Sequence, residues 1–299
     1  MAMQDTKIVG DSFQVGVRFQ RYWDTSMANA FFCGELGAGL FFVSYLFNFV
    51  TGMVTGMLIT GIFKSYFHMA HMGVPMQSWR AILRPDRSWI SRGLLSIVFY
   101  LGFGTAHCLN LTFDLETAWG LGTAAGSLIK LLAACASLVV MTYQGFAMSH
   151  STAISLWNSW LTPVSSLTYA LTGGAILTLA LGWNSLFAEM PQDRESLING
   201  VLLLLLLDAI VLTSILYSAK NRSRGGKVSA LLLLTGAYQK VFLLLVVGVG
   251  LILPALILWV IPGNFVTLLL AAISVLVGYY SYRVLMFKAG VYEPMMSFR

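Results

Sequence analysis

Glu35, Lys64, Lys130 and Asp208 each stand inside a long apolar run: "CGELGAGL", "TGIFKSYF", "GSLIKLLAA" and "LLLLLLDAIVL". At ~1.5 Å rise per helical residue, each lies about 12 to 18 Å from the start of its run, near the middle of a bilayer. A charged Lys or Asp at that depth costs about 2.5–3.5 kcal/mol on insertion scales, so such side chains face protein and commonly mark a proton or ion route. Two acids and two bases can cancel one another in a bundle interior. Buried pairs that only fix helix register are the plainer alternative. Glu35 is flanked by Gly34, Gly37 and Gly39, which lets helices approach closely and turns the carboxylate inward. His107 is a candidate fifth member of this interior set.

A second constellation lies at a helix end. In "HMGVPMQSWRAILRPDRSWISRG", residues 71–93, a His-x-Gly-x-Pro places a titratable imidazole where glycine and proline stop a helix and leave its last carbonyls facing a polar crevice. His71, Trp79, Trp89 and Tyr143 can form an aromatic-lined slot with a hydrogen-bond donor, suited to the carbonyl oxygens of a planar ring. His68 and His150 read more simply as interfacial side chains. The same stretch gathers Arg80, Arg84, Arg87 and Arg92, which can orient the chain in a membrane and offer a cationic docking face.

The elements that must position these residues are set by composition. The chain has 299 residues, 58% hydrophobic and only 10% charged, with mean hydropathy +0.78, more apolar surface than one soluble core of this length hides. About 20 apolar residues cross the ~30 Å hydrocarbon layer, and eight runs qualify: 27–50, 53–70 after a Thr-Gly turn, 93–113, 121–143, 163–187, 197–218, 238–260 and 265–286. An all-α integral membrane bundle of eight transmembrane helices follows, as one domain over 1–299 with a short polar segment, 1–25. That segment has no apolar run and does not read as a secretory leader. The basic residues Lys7, Arg18 and Arg21, the arginine cluster, Lys220 to Lys227, and Arg283, Lys288 and Arg299 fall on one face, with Arg194 opposite. The positive-inside rule makes that face, with both termini, cytoplasmic. The net charge of +6 is explained this way without nucleic acid. Cys33, Cys108 and Cys135 lie in apolar runs without metal-site spacing and read as packing residues.

The 71–93 stretch resembles the loop after the second helix in the NrfD, polysulfide reductase and dimethyl sulfoxide reductase anchor families. "YWDTSMANAFFCGELGAGLFF" is similar to their first helix, "SLWNSWLTPVSSLTYALTGG" to the start of their fifth, and "FKAGVYEP" to their tail. The resemblance implies an eight-helix anchor of the bacterial or archaeal cytoplasmic (inner) membrane. Such an anchor binds menaquinone or ubiquinone exchangeably, carries no haem or metal, and exchanges electrons with a four-cluster ferredoxin-like iron–sulfur subunit and a molybdopterin catalytic subunit. It also places His71 at the quinol site. These anchors carry a glutamate two positions after a loop serine, whereas here Ser91 and Arg92 lead to Gly93. Glu35 is therefore the candidate proton acceptor, with Lys64, Lys130 and Asp208 along a proton path. Two other readings stand beside this one: a secondary transporter or ion-translocating protein using the four midplane charges, and a haem-binding cytochrome b-type anchor with one haem between His71 and His150.

Overall fold

The computed structural model describes residues 18–113 and 119–293; Lys7, Pro294 and Arg299, used above, lie outside them. Helix α1 (Thr25–Leu46) begins at Asp24, whose side chain accepts from the Met27 N–H and so satisfies a donor left open by helix geometry. It ends at a turn through Asn48, which has φ +51°, a left-handed conformation that asparagine tolerates. The turn therefore falls before the expected Thr51–Gly52, and those two residues lie inside α2 (Val50–Leu58). Helix α2 continues without a break through a π-helical segment (Ile59–Lys64) into α3 (Ser65–His71), about 30 Å in all at ~1.5 Å per residue.

After a 3-10 segment (Pro75–Ile82) come α4 (Trp89–Phe113), α5 (Ala124–Ser149), α6 (Leu161–Gly182), a short α7 (Leu186–Glu189) and α8 (Pro191–Arg222). Then follow α9 (Arg224–Leu234), α10 (Gln239–Val241), a second π-helical segment (Phe242–Ile252), α11 (Leu253–Val260) and α12 (Phe265–Lys288). Among the described residues, seven helices are long and apolar enough to cross a membrane: α1, α4, α5, α6, α8, the run Gln239–Val260 and α12. The chain is a multi-pass membrane protein. Helix α9 is a separate element, divided by a turn at Thr235–Tyr238 from the next span.

Two apolar cores share α1. One draws Ala38 and Phe41 of α1 together with Met53, Met57, Ile97, Tyr100, Val140 and Met141 of α2, α4 and α5. The other joins Leu36 and Val43 of α1 to Leu179, Val201, Leu212, Val246 and Val275 of α6, α8, the second π segment and α12. The seam between the halves is a backbone crossing. A Cβ on Gly39 would collide with the Ala170 carbonyl, and one on Gly174 with the backbone of Gly39. Only glycine permits that approach.

At the basic end, three separated stretches close into one knot. Trp23 stacks on Trp157 (5.1 Å) and meets Phe287 edge-on (5.5 Å), while Trp157 Nε1 donates to the Met286 carbonyl at 2.7 Å. The Gln20 amide donates to the carbonyls of Trp23 and Phe287, and β1 (Arg18–Phe19) pairs antiparallel with β2 (Val291–Tyr292). Glu293 seals the knot. Its N–H donates to the Ala153 carbonyl (2.8 Å), and its carboxylate accepts from Ser223 and from the Gly225 and Gly226 N–H groups that open α9. Partial burial would raise its pKa, but these hydrogen bonds, with one from Ser155, outweigh it and hold the group below the ordinary carboxylate value.

Two stability outcomes follow. Gly39→Ala should lower the midpoint of thermal unfolding in detergent by an amount corresponding to about 1–3 kcal/mol of overpacking, whereas Gly200→Ala, with nothing within 4 Å of the new Cβ, should hold or raise it. Because the Glu293 pKa is depressed in the fold, its contribution is complete above the unfolded-state pKa and lost as pH falls through the folded value. Glu293→Gln should therefore lower the melting temperature at neutral pH and flatten its decline on acidification, read from melting curves between pH 7 and 3.

Candidate functional site

Helix α1 carries Glu35 at mid-length, and helix spacing on α12 sets Tyr279, Tyr282 and Arg283 on a common side facing it. Glu35 and Arg283 are fully buried and form an ion pair, Nη2 to Oε2 at 2.6 Å. The Tyr279 hydroxyl donates to the same carboxylate oxygen, and Arg283 Nη2 also donates to Ser166 Oγ at 3.0 Å. The Tyr282 hydroxyl donates to Ser165 Oγ at 3.0 Å. The rings of Tyr279, Tyr169 and Tyr282 stack in sequence, with Tyr169 5.1 Å from the first and 4.5 Å from the second. Arg283 is placed differently from its sequence reading. It was counted with the basic tail, yet it lies five residues inside α12 and takes the charge partnership expected of the midplane lysines.

Asp208 of α8 is also buried and accepts from Thr172 Oγ1 at 2.6 Å. Its other oxygen, Tyr169 Oη and Arg283 Nε and Nη1 are buried polar atoms without protein hydrogen bonds among the described residues. A dry, unpaired donor or acceptor costs about 1–3 kcal/mol, so this cluster has unused hydrogen-bonding capacity at its centre. No pairing of Asp208 with a lysine forms among the described residues.

Lys64 comes from the π-helical segment, a distortion that often accompanies functional positions. It is 3% exposed, lies 5.1 Å from the Tyr143 ring centroid and acts electrostatically on Glu35. With the Gln144 amide turned so that its nitrogen donates to the Phe31 carbonyl (3.0 Å), its oxygen accepts from the Lys64 ammonium. Gly34 makes the room: a Cβ there would meet Lys64 and Gln144 at 2.6–2.8 Å.

Lys130 belongs elsewhere. It sits 5.4 Å from the Tyr45 ring centroid, beside His107, whose ring is 5.5 Å from Tyr45 and whose two nitrogens are buried without hydrogen bonds among the described residues. This group occupies the far end of α1, α4 and α5, so the four midplane residues fall into two separate clusters.

The helix-end residues stand apart: among the described residues no hydrogen bond, ion pair or ring contact joins any two of His71, Trp79, Trp89 and Tyr143. His71 Nδ1 lies 3.1 Å from Asp24, joining the end of α3 to the cap of α1. Trp89 stacks on Phe146 (4.3 Å), donates to His150 Nε2 (3.2 Å) and carries Arg92 over its ring at 4.5 Å. Tyr143 packs beneath Gly93. Trp79 is 58% exposed with Arg80 over its ring. Arg92 bonds the Pro85 and Asp86 carbonyls and Arg87 pairs with Asp86, so these arginines brace their own loop. His150 Nδ1 lies 2.9 Å from the Phe146 carbonyl, so both its nitrogens are engaged. Of the cysteines, Cys108 is buried but Cys135 is exposed, which removes the packing role expected for the latter.

The chain matches the family model for polysulphide reductase, NrfD, over residues 16–293. It belongs to the NrfD family. This family supplies the membrane subunits of redox-enzyme complexes, and the chain is accordingly a membrane anchor subunit of a polysulphide reductase-like complex. No curated protein matches it. The family stretches read from the sequence converge in space: the first-helix, fifth-helix and tail segments build the knot of Trp23, Trp157 and Phe287, and Asp24 bonds His71 of the loop.

Sequence reasoning missed Arg283, Tyr279, Tyr282, Tyr169 and Gln144. The usable signal was "GYYSYR", in which Tyr279, Tyr282 and Arg283 share a helix face in an otherwise aliphatic span. Removing one partner of the buried pair should be severe: Arg283→Ala is expected to cost about 3–5 kcal/mol. Glu35→Gln combined with Arg283→Met should cost less than the sum of the single changes, by about 0.5–3 kcal/mol of coupling, measured by chemical unfolding in detergent.

Proposed function

We propose that this NrfD-family chain is the quinone-reactive anchor of an iron–sulfur molybdoenzyme in a prokaryotic cytoplasmic membrane, exchanging electrons between menaquinone or ubiquinone and a ferredoxin-like iron–sulfur subunit. In this reading the continuous helix Val50–His71 is the eighth span of a single domain, and the basic end is cytoplasmic by the positive-inside rule. The observation that carries it is Glu35, a wholly buried carboxylate between Arg283 and Tyr279, on the helix that both halves share.

Oxidising a quinol releases two electrons and two protons, and only the electrons pass to an iron–sulfur partner. The anchor must therefore offer a hydrogen-bond partner to the ring and an acceptor for each proton. His71, Trp79, Trp89 and Tyr143 line the ring site. Lys64 touches the Tyr143 face and packs against Gly34, the residue beside Glu35, which connects that site to the interior. Glu35 accepts the two protons one after the other, and the hydroxyls of Tyr279, Tyr169 and Tyr282 with the Asp208 carboxyl carry the first onward before the second arrives. Lys130 and His107 serve the far end of the same route. Arg80, Arg84, Arg87 and Arg92 present the cationic face on which the iron–sulfur subunit docks.

The test uses the assembled complex and a short-chain menaquinol analogue. Tyr279→Phe keeps the Glu35–Arg283 pair; Glu35→Gln keeps the shape of the site but strands the Arg283 charge, so its turnover is compared at equal amounts of co-purified complex. Each should lower quinol-driven turnover, Glu35→Gln by about 100-fold, the lower range for a positioned acid–base group, with the subunits still co-purifying and dye-driven catalysis by the molybdenum subunit unchanged. Full quinol turnover in both variants would contradict the reading.

A further inference from the structure

A cavity of about 360 Å³ opens at the basic end, walled by the start of α1, the last turn of α12 and the loop before α10. That is room for about ten waters at ~30 Å³ each. Its walls are fixed. Gln20, Trp23 and Phe287 belong to the knot described above, with the Gln20 side chain bonded at both ends: Nε2 to the Phe287 and Trp23 carbonyls, Oε1 from the Trp23 N–H at 2.9 Å. Trp23 is further held against Phe31 and Trp157. Two cations stand on this rigid aromatic wall, Arg21 and Lys288. Both are exposed, and neither has an ion pair or hydrogen bond among the described residues, in contrast to Arg92 and Arg222, which are bonded to backbone carbonyls. The one acid among the described lining residues, Asp24, is already committed to the Met27 N–H and His71.

The depth of the cavity identifies what it would meet. Lys288 is the last residue of one membrane-crossing helix, Thr25 the first of another, and Tyr238 immediately precedes a third. Three span ends thus place the opening in the headgroup layer, where basic pockets between helix ends recognise lipid phosphates. Arg21 offers a planar donor fork suited to phosphate oxygens, and Lys288 a mobile point charge. Trp23 and Tyr238 supply the amphipathic aromatic edge that sits at this level of a bilayer.

We infer that the Arg21–Lys288 cavity is a phosphate-binding site occupied by the headgroup of a membrane phospholipid, separate from the redox site. The phosphodiester lies between the two cations, with the glycerol end against Trp23, Phe287 and Tyr238.

The full chain, purified in mild detergent and delipidated, is titrated with phosphatidylglycerol, with inorganic phosphate and with a phosphate-free glycolipid, reading bound lipid by native mass spectrometry and the melting temperature in parallel. Phosphatidylglycerol should bind the wild type with one saturable site and raise the melting temperature. Arg21→Gln combined with Lys288→Gln should weaken that binding at least tenfold and abolish the shift, while Lys220→Gln, a basic-end change outside the cavity, behaves as wild type. Inorganic phosphate competing with the lipid for the site confirms that phosphate is the recognised group. The inference is overturned if the double variant, folded as judged by an unchanged helical circular dichroism spectrum, binds phosphatidylglycerol as tightly as the wild type. Equal binding of the phosphate-free glycolipid would overturn it too. Should the double variant not fold, Tyr238→Ala and Arg21→Gln are read singly: each should weaken binding, and wild-type affinity in both contradicts the site.

Discussion

The contact between Glu35 and Arg283 constrains the remainder of this bundle. Two opposite charges with no exposure to solvent are tolerable in a membrane interior only when each is paired and hydrogen-bonded, because the loss of either strands the other in an apolar medium. That requirement fixes the rotation of α1 against α12, draws Ser166 of α6 to the guanidinium and Tyr279 to the carboxylate, and leaves α1 in contact with both halves of the molecule. The Gly39–Ala170 crossing serves the same geometry, since α1 and α6 must approach to backbone contact for Ser166 to reach Arg283.

The surroundings of the pair are graded in polarity. Toward α8 lie stacked tyrosines and the Thr172–Asp208 bond, with several polar atoms lacking protein partners among the described residues. Toward α5 lie Lys64, Gln144 and Tyr143, bounded by the π-helical segment. A purely structural ion pair has no need of an unsatisfied tyrosine hydroxyl, an open carboxylate oxygen and a second buried cation around it. A site that passes protons does, because a proton moves between groups whose hydrogen bonds can be exchanged.

Much of the fold was legible because membrane insertion writes itself as long apolar runs; seven of the eight expected runs are helices of spanning length and composition, and the remaining one is an unbroken helix from Val50 to His71. The inward direction of Glu35 was legible too, since three glycines on its helix announce a packed face. Partnership was not. Arg283 lies close enough to a helix end to pass for a snorkelling interfacial cation, and nothing local distinguishes that from a buried one; only the tertiary position of α1 decides it. The turn at Asn48 was displaced for a similar reason, because Gly52 is used for close packing against Ser44 rather than for a turn. Lys130 and Lys64 looked equivalent by depth, yet Lys64 lies beside Tyr143 and Gln144 toward the end of α5, whereas Lys130 stands in the second turn of that helix, beside Tyr45.

The central claim is that the Glu35 carboxyl changes its hydrogen bonding or protonation when quinol is oxidised. Infrared difference spectra of the assembled complex, recorded on adding a menaquinol analogue with an electron acceptor present, measure this directly. The account predicts a carboxyl difference band that shifts with ¹³C-labelled glutamate, disappears in Glu35→Gln and moves in Tyr279→Phe. A spectrum with the same carboxyl bands in wild type and Glu35→Gln, recorded during active turnover, would contradict it.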